Sequence, residues 1–354
     1  MTFKRILFVG LGGAGQRHLR ILRQLLPIST VFSAYRRIAA TPLLRADFSV
    51  DVQRSVEAAY NLQVFNSIEA AFADGPDLTI ISTPTSCHRE PMMMAVDAGS
   101  AIFVEKPWAE DLQGFPNFRD EVLAKKLAFH VSFQRRFHPQ ILKAHRAFSL
   151  GEIGRPLAAS FTAYSYVPAW HTYEDWRQLY AVRSDLGGGV LLTEIHELDL
   201  ANWFFGIPVA VFCAGGNRSA SHLPVEDTVQ IILIYANFTV QITLCFMHAK
   251  PSRSFHIAGT VGDIKWDSTD NRLSITKFNG TAEEIYESKS TNDAMFISQA
   301  KTFLFNWSYV DTVSSLAAAA DSLAVVDAAR RSMLSQAAEP VHQILPNDAN
   351  VIRV

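Results

Sequence analysis

The stretch Ile6-Leu7-Phe8-Val9-Gly10-Leu11-Gly12-Gly13-Ala14-Gly15 decides the fold. Four apolar residues in a row read as a strand buried on both faces. A GxGxxG loop follows at once and opens a helical pattern over residues 16–26. In that setting Gly10 permits a tight turn, Gly12 lets backbone approach a pyrophosphate, and Gly15 allows close helix–strand contact. The free N–H groups of the helix start, at Gly13 and Ala14, are then offered to the phosphates of a dinucleotide. Outward from this unit, residues 30–35, 78–81, 101–104 and 127–133 read as further strands. Helical stretches over 55–60, 68–72, 90–98 (stopping at Gly99) and 111–126 alternate with them. Alternation of this kind over residues 1–130 predicts an α/β fold, a doubly wound parallel sheet of the Rossmann type.

After residue 130 the texture changes. A helix over 140–149 leads into strand-like segments at 158–166, 229–246, 253–257, 263–266 and 272–278. Strand following strand predicts an α+β substrate-binding domain over residues 131–354, built on a large, mostly antiparallel open sheet. Only 191–205 and 296–334 read as helices within it, and 340–354 shows no periodicity. Segments 229–233 and 240–246 are apolar on both parities, which predicts a homo-oligomer joined through that sheet.

Composition bounds the function. The 354 residues suit two domains, and 49% hydrophobic against 19% charged residues excludes a disordered chain. A net charge of −2 gives no overall attraction to nucleic acid or to an anionic membrane. Cys87, Cys213 and Cys245 lie far apart without a CxxC pair, which excludes a cysteine-rich zinc site and suits a reducing compartment. The eleven histidines form no HxxxH or HExxH pair, so no metal site is expected. No uninterrupted apolar run reaches the ~18 residues of a membrane span. No small-residue cleavage site follows the N-terminal segment, and the expected location is cytoplasmic.

The end of the second strand discriminates between cofactors. NAD enzymes place an acid about 20 residues beyond the glycine loop to bind the ribose 2′-hydroxyl. Here the chain reads Ser33-Ala34-Tyr35-Arg36-Arg37, with no acid. Arg36 and Arg37 suit a 2′-phosphate, so NADP is preferred over NAD.

Four signatures together carry a family resemblance. They are the glycine loop with Arg17-His18, Ser82-Thr83-Pro84-Thr85-Ser86-Cys87-His88, Glu105-Lys106-Pro107, and Gly187-Gly188-Gly189 leading to His196, Asp199 and Trp203-Phe204-Phe205-Gly206. In order and spacing they make the chain resemble the Gfo/Idh/MocA oxidoreductases (glucose–fructose oxidoreductase, inositol dehydrogenase). The resemblance implies an NAD(P)-dependent enzyme that moves hydride between nicotinamide and a carbinol carbon of a sugar, cyclitol or nucleotide sugar. Residues 170–177 are similar to a subgroup associated with surface-polysaccharide sugars. Two other uses of such a fold are a dinucleotide-binding sensor without turnover and an NAD-assisted hydrolase or lyase that regenerates its cofactor in place.

Within that resemblance Lys106, at the C-terminal end of a strand, holds the reacting oxygen and favours its alkoxide. Pro107 suits a cis bond. His196 exchanges the hydroxyl proton. Asp199 and Trp203 share its helix face at i+3 and i+7, so Asp199 is expected to orient the ring or meet substrate. Thr83, Pro84, His88, Glu105 and Lys106 are implied on the cofactor. Gln134 and Arg136, at the domain junction, and Trp170, His171, Tyr173 and Arg177, an aromatic and polar mixture that suits sugars, are substrate candidates. One departure stands out: the family places an Asp four residues before the histidine, and Leu192 occupies that place, leaving Thr193 or Glu194 as replacements.

Overall fold

Six short strands form one parallel sheet: β1 (Arg5–Val9), β2 (Val31–Tyr35), β3 (Gln63–Phe65), β4 (Leu78–Ile81), β5 (Ala101–Glu105) and β6 (Phe129–Ser132). Their spatial order is β3-β2-β1-β4-β5-β6, the doubly wound dinucleotide-binding order. The structure is a computed structural model that describes residues 3–37, 41–171, 173–278, 284–287 and 293–343. Every residue of β4 and β6 is buried, because helices cover both faces of the sheet. Those that frame the site are α1 (Gly13–Leu25), α2 (Arg89–Asp97) and α3 (Phe115–Ala124). The predicted alternation is thus present, with the 111–126 segment helical only over its middle.

Beyond it, α4 (Pro139–Ser149) leads to a nine-stranded sheet. Its strands are β7 (Pro156–Tyr166), β8 (Ala210–Gly216), β9 (Thr228–Ile234), β10 (Thr239–Cys245), β11 (Met247–Gly259), β12 (Gly262–Asp267), β13 (Arg272–Lys277), β14 (Glu284–Glu287) and β15 (Glu339–Pro340). The order is β14-β13-β12-β11-β7-β10-β9-β8-β15, with β7 and β10 parallel and all other pairs antiparallel. Sequence reading merges β9 and β10 and passes over β8, whose alternation is blurred by Ala214, Gly215 and Gly216. Val229, Ile231, Leu233, Val240, Ile242 and Leu244 are fully buried on the inner face, while Gln230 and Gln241 point outward. Ile232 and Ile234 on the outer face are half-buried.

The segment over 191–205 is two helices. A single turn, Val190–Thr193, is followed by α5 (His196–Phe205), with the break at Glu194 and Ile195. The predicted 296–334 helix is also two: α6 (Asp293–Phe305) and α7 (Tyr309–Ser335), separated where Ser308 caps α7 with Asp311 in a capping box. Helix α7 ties the sheets together. Thr312 and Ser315 hydroxyls accept the outer N–H groups of Phe129 (3.2 Å) and Val131 (2.9 Å) on edge strand β6. Ser332 accepts that of Cys213 on β8 at 2.8 Å. One helix therefore covers a sheet edge in each half. By length and composition α7 is apolar enough to cross a membrane, but 78% of its most apolar window is buried in this chain.

Strand β6 (Phe129–Ser132) of the first sheet spans the expected boundary at residue 130. Met295, Phe296, Ala300, Phe303 and Leu304 of α6 share one apolar core with Phe3, Ile6, Phe8 and Phe32, so α6 completes the first domain from the far end of the chain. Of the stretch 340–354, residues 344–354 lie outside the described residues.

Candidate active site

The glycine loop leaves β1 at the C-terminal edge of the sheet, where open α/β sheets bind ligands. Gly10 lies at φ +89°, and a Cβ there would sit 2.9 Å from the Ser82 carbonyl oxygen. A Cβ at Gly15 would meet the Ser82 Oγ at 2.5 Å and the Gly10 carbonyl oxygen at 2.7 Å, so α1 packs against the loop only with glycine there. Gly12 faces open space, caps α1 without a side-chain acceptor, and is followed by a first turn free of acid. An anion therefore meets unpaired N–H groups and the positive end of the helix dipole, which fits a pyrophosphate.

This loop has a cover that sequence reading did not find. The ring of Phe48 comes within 2.8 Å of where a Gly13 Cβ would be, and the Tyr173 hydroxyl within 3.5 Å. Phe48 sits at φ 63°, stacks on His171 at 6.1 Å and receives the Arg17 guanidinium at 4.8 Å. His171 in turn stacks on Tyr173 and shares its Nδ1 with Glu174 at 2.6 Å. Of the residues expected on substrate, Tyr173 lies beside Gly13 of the loop and His171 stacks on Phe48. The signal available was weak: an aromatic between Asp47 and Ser49, in a segment otherwise read as loop.

Three groups hold the turn after β5. Glu105 accepts from His18 Nε2 of α1 at 2.6 Å, and despite burial its carboxyl is kept below the usual range by His18, Lys106 and Arg17. The contact joins α1 to β5. The Lys106–Pro107 bond is cis, as the sequence suggested. His88 is buried, with Nδ1 2.9 Å from the Pro107 carbonyl and Nε2 2.9 Å from that of Thr83. Burial lowers its pKa, and a neutral ring donates to one carbonyl at a time. His88 thus pins the Thr83–Pro84 loop to the lysine turn, and the loop itself abuts Gly10.

Lys106 Nζ donates to the Thr193 carbonyl at 2.7 Å. That oxygen is available because the helix breaks just there: the Glu197 N–H turns to Glu194 instead. The triple glycine fixes where the first turn, Val190–Thr193, begins. A side chain at Gly188 would collide with the Tyr180 carbonyl, and one at Gly189 with the Glu226 carboxylate. The helix start is thereby seated on Glu226, which accepts the Leu191 N–H at 3.2 Å.

His196 is buried beside this turn, its Nε2 3.1 Å from Gln134 Nε2 and its Nδ1 without a partner. Burial and the positive charges of Lys106, Arg135 and Arg253 lower its pKa well below 6.5, so the ring is neutral. Gln134 Oε1 and Thr193 Oγ1 are likewise buried without partners. Orphaned polar atoms converging beside a lysine mark a site built for a polar ligand.

The two acids resolve differently from expectation. Glu194 accepts from Ser165 at 2.5 Å and pairs with Arg253, which also pairs with Glu197 at 2.5 Å. Burial would raise its pKa, but Arg253, Ser165 and Lys106 hold it at about 2. Lys106 meets the backbone carbonyl of Thr193, Glu194 is held by Ser165 and Arg253 with Lys106 nearby, and Leu192 is in the core. Asp199 does not orient His196. Its carboxylate takes Arg136 Nε at 2.9 Å and Nη2 at 2.7 Å, an ion pair that consumes both predicted site residues. Trp203 stacks on His145 at 3.7 Å.

The remaining candidates lie farther out. Arg36 is committed to Glu57 (2.6 Å) and the Thr41 carbonyl (2.9 Å), whereas Arg37 is exposed. Trp170 packs on Phe246, and Arg177 lies on the surface over Trp176, paired with Asp175. A separate cavity of about 350 Å³ near Arg23, Thr30 and Gln63 opens at the opposite edge of the sheet, away from this chemistry. Among the described residues no group of His, Cys, Asp and Glu could hold a metal ion.

Comparisons with known proteins match both halves. Residues 4–133 fit the model of an oxidoreductase family with an NAD-binding Rossmann fold, and residues 141–265 fit the GFO/IDH/MocA C-terminal domain. Relatives include scyllo-inositol 2-dehydrogenase (NAD(+)) of Bacillus subtilis strain 168, 31% identical over 38% of this chain and 37% of that protein. Inositol 2-dehydrogenase 4 of Saccharopolyspora erythraea is 24% identical over 62% of this chain and 60% of its own length. The 1,5-anhydro-D-fructose reductase of Ensifer adhaerens is 34% identical over 35% and 36%. The match thus spans about one third to three fifths of these curated relatives. In fold, the chain is similar to a levoglucosan dehydrogenase solved with NADH and L-sorbose, with a TM-score of 0.77 at 19% identity over 97% of this chain and 100% of that one. An NAD binding oxidoreductase from Klebsiella pneumoniae gives 0.78 at 17% identity over 96% and 99%.

Proposed function

The chain belongs to the Gfo/Idh/MocA oxidoreductases, and from that premise we propose that it is a dinucleotide-dependent dehydrogenase acting on a CH–OH group of a sugar or polyol. One observation carries this reading: at the end of β5, in the sheet whose loop leaves Gly12 open, Lys106 Nζ is anchored on the Thr193 carbonyl, three residues before the neutral, part-unpartnered His196. The dinucleotide, held by Gly10 to Gly15 and covered by Phe48 and Tyr173, supplies the hydride acceptor. Lys106 keeps N–H groups for the reacting oxygen and favours its alkoxide. His196 takes the hydroxyl proton. Gln134 sets which ring nitrogen does so: with the amide turned so that Oε1 receives Nε2–H, its orphaned oxygen is satisfied and Nδ1 is the base.

The finer cofactor choice rests on Arg37. Arg36 must leave Glu57 to meet a 2′-phosphate, so the preference for NADP over NAD is small, within about tenfold. Initial rates of nicotinamide reduction with each cofactor on a panel of polyols, sugars and nucleotide sugars test the reading. The panel includes surface-polysaccharide precursors, the narrower role we suggest for this enzyme. A second reading is favoured by the aromatic cover over Gly13, which suits a cofactor that does not exchange. In it the cofactor is reduced and reoxidised within one turnover, and protein purified with bound dinucleotide would change substrate without net reduction. We also propose self-association through the outer face of the second sheet; sedimentation showing only monomer at micromolar concentration would refute it.

A further inference from the structure

Lys106 is held by its backbone as well as by its ammonium group. On one side its N–H meets the Glu105 carboxylate, with Oε2 at 3.3 Å. On the other, the Pro107 carbonyl lies 2.9 Å from His88 Nδ1. The Glu105 carboxylate is itself fixed: Oε1 lies 2.6 Å from Nε2 of His18, whose side chain is only 4% exposed. Burial would raise the Glu105 pKa, but His18, Lys106 and Arg17 hold it below the usual carboxylate range. An ionised carboxylate only accepts, so His18 Nε2 carries the proton of this bond. The plane of the ring is set by Phe103 of β5, edge-on at 5.0 Å, and by Phe296 of α6, edge-on at 6.1 Å. His18 lies about one turn beyond Ala14 on α1, the helix whose first N–H groups are offered to the dinucleotide phosphates.

We infer that His18 is a positioning residue: acting through Glu105, it sets the Lys106 backbone from which the ammonium group reaches the reacting oxygen. It thereby ties the helix that seats the dinucleotide to the group that holds the substrate. This role rests on the dehydrogenase reading of the site and deepens it. Lys106 reaches the Thr193 carbonyl, at 2.7 Å, on a flexible four-carbon stem, so its tip keeps register only while its root is fixed. The bond that fixes the root on the Glu105 side is long at 3.3 Å and depends on where the carboxylate is held. The bond from His18 is the shorter of the two and is charge-assisted. Without it the buried carboxylate is drawn towards the cations that remain, Lys106 and Arg17, and the lysine turn shifts with it. A displacement of about 1 Å at a reacting group costs up to about 100-fold in rate.

His18→Gln and His18→Asn in the full chain test this. Both lose the ring and keep an amide donor, but only the Gln nitrogen reaches the place of Nε2; that of Asn ends at the place of Nδ1. Single-turnover hydride transfer should stay within a few-fold of wild type in His18→Gln and fall about 10- to 100-fold in His18→Asn, with cofactor Kd alike in the two. In a Lys106→Met background the two should be equal, since the residue they act on is gone. Glu105→Gln should slow transfer to a similar degree, and adding His18→Asn to it should cost nothing more. Equal losses in Gln and Asn would mean that the ring matters only for packing on Phe103 and Phe296 and would overturn the proposal. A Gln–Asn difference that persists without Lys106 would also overturn it. A second readout needs no turnover: the rate at which an amine-reactive reagent labels Lys106, followed by mass spectrometry against the exposed Lys4 and Lys125. Lys106 should label several-fold faster in His18→Asn than in His18→Gln while the other two stay unchanged; equal Lys106 rates would overturn the proposal. The expected labelling in a protein without any hydride transfer would uphold the link from His18 to Lys106 and overturn the dehydrogenase reading instead.

Discussion

Replacing Glu194 by Gln separates a structural acid from a catalytic one. The carboxylate is buried, accepts from Ser165 and pairs with Arg253. Its pKa of about 2 against 4.5 in the unfolded chain corresponds to roughly 3 kcal/mol of folding free energy at 1.36 kcal/mol per unit. Breaking a buried ion pair by removing one partner costs about 3–5 kcal/mol, so the two routes agree. Because the folded pKa is depressed, this stability is fully present above pH 4.5 and is lost as pH falls towards 2. Glu194→Gln should therefore melt about 6 °C lower near pH 7, at roughly 2 °C per kcal/mol for a domain of this size. The gap to wild type should close as pH drops below 4.5. Differential scanning calorimetry from pH 7 to pH 3 measures this, with turnover recorded well below the melting range. A variant as stable as wild type but with kcat reduced a hundredfold would refute the structural assignment and make Glu194 the replacement for the family carboxylate missing at Leu192.

Three further outcomes follow from the site. Glu57→Gln releases Arg36 from its acid, so NADP should gain about tenfold over NAD in Kd, measured by fluorescence titration; unchanged selectivity would mean Arg36 does not face the ribose. Phe48→Ala uncovers Gly13 and should speed cofactor release about tenfold in stopped-flow chase, with little change in melting point, since Phe48 sits at a positive φ that favours no aromatic. The pH profile of kcat/KM should stay level down through pH 6.5, because His196 is neutral there; an acid limb at or above pH 6.5 that vanishes in His196→Gln would contradict the buried, cation-flanked ring.

The first sheet was legible because one pattern carries it: apolar runs with no alternation, each bounded by glycine or proline, leave parallel strands as their only economical burial. The glycine loop and Lys106 were legible for the same reason, as both sit at strand ends that the pattern locates. Pairings across the molecule were not. Nothing in local sequence says that Arg136 meets Asp199 across 63 positions, or that Glu105 belongs to His18. Helix periodicity put His196 and Asp199 on one face and so suggested a dyad, yet a shared face is wide enough to serve two partners. The break at Glu194 escaped notice because Leu191 to Phe205 has unbroken helical propensity; it is tertiary contact, with Glu226 and Arg253, that divides it. The packing of helix α6 on the first sheet was not legible locally, because its partner core is formed some 290 residues earlier.

The central claim is that Lys106 holds the reacting oxygen and leaves the dinucleotide site to the glycine loop. Lys106→Met measured by single-turnover hydride transfer, alongside a cofactor titration, tests it directly. The expected result is transfer slowed by at least about a thousandfold with the cofactor Kd within a few-fold of wild type. Transfer at the wild-type rate, or loss of cofactor binding in equal measure, would contradict it.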